Sequence, residues 1–248
     1  MKYKDYSTDI WNRLNTTLDQ VLKEDSSPVA AFDADGTLWD IDLGETFFHY
    51  QIDNKLVSLP PHPWETYESM KAENPQKAYL WLAQICRGVK LEQVHQWAVE
   101  AVKGQSPLPV FLEQKKLIDL FLSRGVQVYV VTASVKWAVE PGAEILGLKK
   151  DNVIGVETLL DNGGQITELQ KGLITYREGK VDALLEKTKG KLPFFASGNT
   201  MGDYHLLQTA THLSLAVSAA SRDDKLFKTE YELQQNAEKF GWLAHRFV

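Results

Sequence analysis

The chain has 248 residues, 44% hydrophobic and 24% charged, with a formal net charge of -6; this is ordinary globular composition, enough for one large domain or a core with a sizeable insert. The acidic balance disfavours a nucleic-acid backbone as partner, the lone Cys86 excludes an intrachain disulfide, and no apolar run approaches the ~20 residues that span a bilayer. The N-terminal Met1-Lys2-Tyr3-Lys4-Asp5-Tyr6 has no apolar signal core, so the expectation is a cytoplasmic protein with neither nucleic acid nor membrane as partner, and its oligomeric state is unknown.

Residues 7–23 carry Ile10, Trp11, Leu14, Leu18, Val21 and Leu22 at helical spacing, with Ser7 or Thr8 to cap the start. This predicts a packing helix, broken by Ser26-Ser27-Pro28. Then Val29-Ala30-Ala31-Phe32 runs straight into Asp33-Ala34-Asp35-Gly36-Thr37. That order predicts a buried strand ending in a glycine-opened turn, where open α/β sheets bind their ligands. Residues i and i+2 of an extended segment point to one side, so Asp33 and Asp35 can face one substrate. One carboxylate can attack an electrophile while the other moves protons. Their mutual repulsion is relieved by a hard divalent cation on oxygen ligands. Thr37 adds a hydroxyl near the ligand. A calcium loop fails on spacing, because its fifth and sixth positions hold Thr37 and Leu38.

From Asp40 to about Pro109 there are no clear β-branched strand runs. Helical patterns lie around Gly44–Tyr50, Trp64–Met70, Pro75–Ile85 and Leu91–Val102, and Leu59–Pro63 and Gln105–Pro109 read as loops. This is a helical insert over 41–109, within a core formed by 1–40 and 110–248. The insert and its hinge are rich in aromatics, among them Trp39, Phe47, Phe48, Trp64, Tyr67, Tyr79 and Trp81. Most are expected to be core. Aromatic faces with a nearby carboxylate, from Asp42 or Glu45, also suit a quaternary ammonium group.

Alternation then returns. Phe111–Ser123 reads as a helix stopped by Gly125, and Val126–Val131 as a central strand. Thr132-Ala133-Ser134 leads into a helix over Val135–Leu146, offering hydroxyls and amides at a helix start, an anion site. Val153–Leu160 and Gln165–Leu169 flank Asp161-Asn162-Gly163-Gly164 as a hairpin. Gly179-Lys180 opens a helix running to Thr188. A lysine there opposes the helix dipole, and its ammonium can instead meet a phosphate and the aspartates. Leu192–Ala196 is a strand, followed by Ser197-Gly198-Asn199-Thr200-Met201-Gly202-Asp203, where Asn199 and Asp203 offer oxygen ligands to a hard cation. His212–Val217 is a further strand, and Glu230 to about His245 a closing helix. The alternation implies a doubly wound parallel sheet covered on both faces: a three-layer, Rossmann-like α/β core with an inserted α-helical cap.

In this order, Asp33-x-Asp35-Gly36-Thr37, Thr132, Lys180 and Asn199/Asp203 resemble the four motifs of the haloacid dehalogenase-like phosphohydrolase superfamily, over about residues 28–40 and 111–217. The insert resembles the C1-type cap of the phosphoserine phosphatase branch. The resemblance implies that Asp33 is the nucleophile and forms an aspartyl-phosphate. Asp35 would be the general acid/base, with its backbone carbonyl on magnesium. Thr132 would hold the phosphoryl group, with Ala133, Ser134, Gly36 and Thr37 beside it. Lys180 would stabilise the nucleophile and the phosphoryl charge. Asn199 and Asp203, with Asp33, would hold Mg2+. An acid shortly after the first motif contacts the substrate amine in that branch; Asp42 and Glu45 both lie near that position, and Trp39 is a further substrate-side candidate. Phosphoserine phosphatases usually carry Asp where this chain has Asn199, so the site has one negative charge fewer.

The acid at Asp35 selects a phosphatase, because the leaving alkoxide needs a proton and the second half-reaction needs an activated water. The implied reaction is Mg2+-dependent hydrolysis of a small-molecule phosphomonoester, phosphoserine-like, with phosphocholine or phosphoethanolamine as further candidates. Two alternatives stand beside it: a phosphotransferase to an alcohol acceptor, and a non-catalytic metal- or phosphate-binding module.

Overall fold

Strand β1 (Val29–Phe32) is buried on both faces. Ala30 and Phe32 enter one hydrophobic cluster, Val29 and Ala31 another. A strand covered on both sides reads as an unbroken apolar run, and these four residues are one. The computed structural model describes residues 3–248. Met1 and Lys2, part of the stretch read for an export signal, lie outside the described residues.

β1 pairs in parallel with β2 (Gln127–Val135) on one side. The sheet continues there through β3 (Val153–Leu160) and β4 (Ile166–Lys171). On the other side of β1 lie β5 (Phe195–Gly198), β6 (Leu213–Ser218) and β7 (Leu243–Arg246). The order is β4-β3-β2-β1-β5-β6-β7, parallel throughout except for the β3–β4 hairpin. The chain leaves β1 towards β2 and later crosses back to β5. The strand order therefore reverses at β1, and such a reversal opens a crevice beyond the carboxyl ends of the strands.

Helix α1 (Thr8–Glu24) starts where the Ser7 hydroxyl accepts the Ile10 N–H, and it buries Ile10, Leu14, Leu18 and Val21 in the cluster that holds Phe32. After β1 come four helices in succession: α2 (Leu43–Asp53), α3 (Pro63–Glu73), α4 (Pro75–Gln84) and α5 (Leu91–Lys103). Their shared interior holds Phe47, Phe48, Tyr67, Leu82 and Val94, and is continuous with Val135, Trp137, Val156 and Ile166 of the sheet side. The helical block thus rests on the β2–β3 end of the sheet and leans over the carboxyl end of β1. Cys86 lies in this interior, where burial pushes its thiol up to about 12. The remaining helices are α6 (Leu112–Ser123), α7 (Lys136–Ile145), α8 (Glu178–Thr188), α9 (Tyr204–Thr209) and α10 (Phe227–Phe240). None of the described helices is long and apolar enough to cross a membrane.

Two segments differ from expectation. The closing helix does not reach His245: it stops at Phe240, because Gly241 takes the left-handed conformation (φ 69°) that ends helices. Leu243–Arg246 then pairs with β6 as a seventh strand, with Leu243 and Phe247 anchoring it in the core. Thr132, Ala133 and Ser134 belong to the end of β2 rather than to a helix start, and α7 begins only at Lys136. The β2–β3 register shifts between Val131 and Val135, which bends the strand end at these three residues.

Candidate active site

Asp33 is the first residue beyond β1, and its N–H donates to the Ser197 carbonyl of β5 (2.8 Å). Asp33 is buried, 6% exposed. Thr37 donates its hydroxyl to Asp33 Oδ2 (2.8 Å), from within the turn. That turn needs Gly36, which has φ 74° and passes so close to Asn199 that a Cβ would stand 2.1 Å from its Nδ2.

Lys180, in the first turn of α8, brings Nζ within 2.6 Å of Asp33 Oδ1 and of Asp203 Oδ1. Asp203 is set by its own loop: Oδ2 accepts the N–H groups of Asn199 (3.1 Å) and Thr200 (3.0 Å). One ammonium thus serves two buried carboxylates. Burial and then Asp203 raise the Asp33 carboxyl to about 7 against the pull of Lys180. Burial would depress Lys180, but Asp203 and Asp33 outweigh it and its pKa is raised.

Asp35 faces the same cavity with its carboxylate held by three donors. Oδ1 accepts from Trp39 Nε1 (2.8 Å) and the Leu43 N–H (2.9 Å), and Oδ2 accepts from the Ser134 hydroxyl (2.7 Å). Burial raises its pKa, against these three bonds. Ser134 is in turn fixed by its N–H donating to Thr132 Oγ1 (3.0 Å). Gly44 permits the approach of α2 here, since a Cβ on it would meet Ser134 Oγ at 2.6 Å.

These groups surround a cavity of about 390 Å³, within the size range of small-molecule sites. The strand ends contribute Asp33, Asp35, Gly36, Thr132, Ala133 and Ser134, with Lys180, Asn199 and Asp203 beside them. The helical block contributes Asp42, Glu45, Tyr67, Lys71 and Tyr79, and the segment before α10 contributes Asp224 and Lys225. Asp42 caps α2 by accepting the Glu45 N–H (2.7 Å), while Glu45 accepts from Lys71 Nζ (2.6 Å) and faces Lys225 (3.6 Å). Lys71 also lies over the Tyr67 ring, 5.2 Å from its centroid.

Two expected substrate-side residues lie behind the cavity wall. Trp39 is fully buried and meets the site from behind, through its indole N–H bond to Asp35 and through its carbonyl, which accepts the Gly36 N–H (2.9 Å); Thr37 is fully buried behind Asp33. The sequence reading missed Glu230, buried on the cavity wall, which accepts from Asn199 Nδ2 (3.0 Å) and the N–H groups of Ala219 (3.0 Å) and Ala220 (2.9 Å). Its signal was present: Glu230 shares the buried face of α10 with Leu233 and Ala237, an acid in an apolar stripe.

Asp33, Asp203 and the Asn199 side-chain oxygen make an oxygen-only donor set, with two carboxylates against one ammonium; both features suit a hard divalent cation. Among the described residues no three acids, histidines or cysteines converge as a ready metal cluster, and Lys180 stands between the two aspartates. The donor set therefore fits a cation that shares its shell with a ligand's oxygens.

A family model described as haloacid dehalogenase-like hydrolase matches residues 30–208. Among curated proteins, the chain is 25% identical over 195 residues to a phosphorylcholine phosphatase of Pseudomonas aeruginosa. That match takes in 62% of this chain and 55% of the relative, so the chain spans little more than half of it. Among solved structures it is similar to a conserved protein of unknown function from Anaerococcus prevotii, with a TM-score of 0.75 at 15% identity, covering 98% and 95% of the two chains. It is also similar to a substrate-bound phosphoserine phosphatase, with a TM-score of 0.52 at 17% identity, covering 78% and 87%.

Proposed function

The chain belongs to the haloacid dehalogenase-like hydrolase family, and we propose that it hydrolyses a small phosphomonoester in two steps through an aspartyl-phosphate. The observation that carries this reading is the buried Asp33–Lys180–Asp203 constellation, with Asp35 on the same cavity wall. In the first step an Asp33 oxygen bonds to phosphorus, the bond from phosphorus to the ester oxygen breaks, and Asp35 gives its proton to the leaving oxygen. In the second step Asp35 takes a proton from water, the water oxygen bonds to phosphorus, and the acyl-phosphate bond breaks to restore Asp33 and release phosphate. Lys180 offsets the charge that gathers around the transferring group. Magnesium, held by Asp33, Asp203, the Asn199 oxygen and the Asp35 carbonyl, would supply the remaining charge neutralisation. Thr132, Ala133 and Ser134 would hold the phosphoryl oxygens, and residues 41–109 would act as the cap that excludes bulk water.

The leaving group should carry an ammonium. Beyond the motif residues the lining acids Asp40, Asp42, Glu45, Asp224 and Glu230 outnumber the lysines Lys71 and Lys225. The Glu45–Tyr67 niche already accommodates an ammonium, that of Lys71. The name of the Pseudomonas relative, phosphorylcholine phosphatase, points the same way. Phosphate release from phosphocholine, phosphoethanolamine, phosphoserine and a sugar phosphate, each with magnesium, tests both levels. Preference for the ammonium-bearing esters supports the reading, equal rates overturn the substrate class, and no release from any ester overturns the phosphatase.

A further inference from the structure

Glu230 is a buried acid of the cavity wall that the proposed chemistry leaves without a task. It is 2% exposed, and both its oxygens are committed. Oε1 accepts from Asn199 Nδ2, and Oε2 accepts from the N–H groups of Ala219 and Ala220. All three partners are donors, and an ionised carboxylate is an acceptor only.

This arrangement decides which way the Asn199 amide faces. The oxygen and nitrogen of an asparagine side chain are nearly equal in shape, so hydrogen-bond partners fix their positions. With its NH₂ on Glu230, Asn199 turns Oδ1 towards the Thr37 hydroxyl (3.3 Å), which also reaches Asp33 at 2.8 Å. Gly36 lies close beside the same amide, so close that a Cβ there would stand 2.1 Å from its Nδ2.

We infer that Glu230 is a positioning residue that holds Asn199 with its carbonyl oxygen, not its nitrogen, towards the cation site beside Asp33. The inference rests on the magnesium reading above. It also explains how an amide serves at this position. The negative charge absent from residue 199 is held one hydrogen bond further out, on Glu230.

Replacing the acid has a definite consequence. In Glu230→Gln, the new amide oxygen keeps the Ala219 and Ala220 N–H groups, so its NH₂ meets that of Asn199. Two NH₂ groups cannot pair, and Asn199 must flip its nitrogen towards the cation. In the double variant Asn199→Asp/Glu230→Gln, the new NH₂ donates to the carboxylate introduced at 199. Every bond is then restored at the same net charge.

The test is magnesium binding by isothermal titration calorimetry to the substrate-free wild type, Glu230→Gln and the double variant, with a thermal melt of each. Loss of a ligand-orienting partner weakens metal affinity about 10–100-fold, and that loss is expected in Glu230→Gln. The double variant is expected to recover most of it. Unchanged affinity in Glu230→Gln overturns the inference, as does a double variant that binds no better than the single one. If Glu230→Gln fails to melt cooperatively, the double variant decides alone: near-wild-type affinity supports the inference, and a loss overturns it. A wild type that takes up no magnesium overturns the magnesium reading itself, and this inference with it.

Discussion

The ammonium of Lys180 lies 2.6 Å from Oδ1 of Asp33, with both side chains buried. It lies equally close to Asp203, so it is the counter-charge of the site. Removing one partner of a buried ion pair costs about 3–5 kcal/mol, because an uncompensated charge is left behind. Lys180→Met should lose stability of that order in urea unfolding. Losing one preorganised charge donor at a reacting group also costs about 10²–10³-fold in kcat, and the variant's turnover should fall by that much.

Gly36 brings the turn after Asp33 close against Asn199. A side chain there meets two obstacles, a positive φ and the Asn199 amide. A non-glycine residue in such a conformation costs about 1–3 kcal/mol. Gly36→Ala should remain folded at that cost in a denaturant titration. Its activity should fall further than the stability loss suggests, and added magnesium should restore part of it, because the displaced group is a proposed ligand.

Trp39 acts on Asp35 from behind the cavity. Hydrogen bonds to charged groups contribute about 1.5–3 kcal/mol, which corresponds to tenfold to a hundredfold in rate if the bond orients the proton donor. Trp39→Phe should therefore lower kcat by about that factor with little change in KM. A higher KM at unchanged kcat would place Trp39 on the substrate instead.

Glu113 binds the N-terminal segment to α6. It accepts from the Tyr6 N–H (3.1 Å) and Trp11 Nε1 (2.8 Å), and it pairs with Lys116. Burial would raise its pKa, but Lys116 and the two N–H donors prevail and hold it below the ordinary 4.5. A carboxyl whose folded pKa is depressed stabilises fully above its unfolded value and loses that contribution as pH falls through the folded one. Melting temperature followed from neutral pH downwards should show a wild-type loss in that window. Glu113→Gln should start lower at neutral pH and show a shallower loss.

The sequence reveals groups whose signal is local. Asp33, Asp35, Thr132, Lys180, Asn199 and Asp203 each stand at or just beyond a strand end or at a helix start. The fold brings them to one cavity because β1 is the strand at which the order reverses. The sheet's centre was legible for the same reason, since Val29–Phe32 is an unbroken apolar run. Glu230 left a signal of burial, an acid in the apolar stripe of α10, but its role was not legible, because its partners, Asn199, Ala219 and Ala220, come from other loops and only the fold brings them together. β7 was hidden because only Leu243 of its four residues is buried, too little to show a strand pattern. Trp39 read as an aromatic face, but its side chain meets the site through the indole N–H, which spacing cannot express.

The proposed covalent role of Asp33 is tested most directly by peptide mass spectrometry of protein acid-quenched during turnover of an active phosphomonoester with magnesium. Asp35→Asn should be included, since losing the base slows release of the intermediate. A phosphoryl group on the peptide's Asp33, enriched in Asp35→Asn and missing from Asp33→Asn, is the predicted result. Turnover with an unmodified Asp33 in every sample, or a phosphoryl group on another residue, would contradict it.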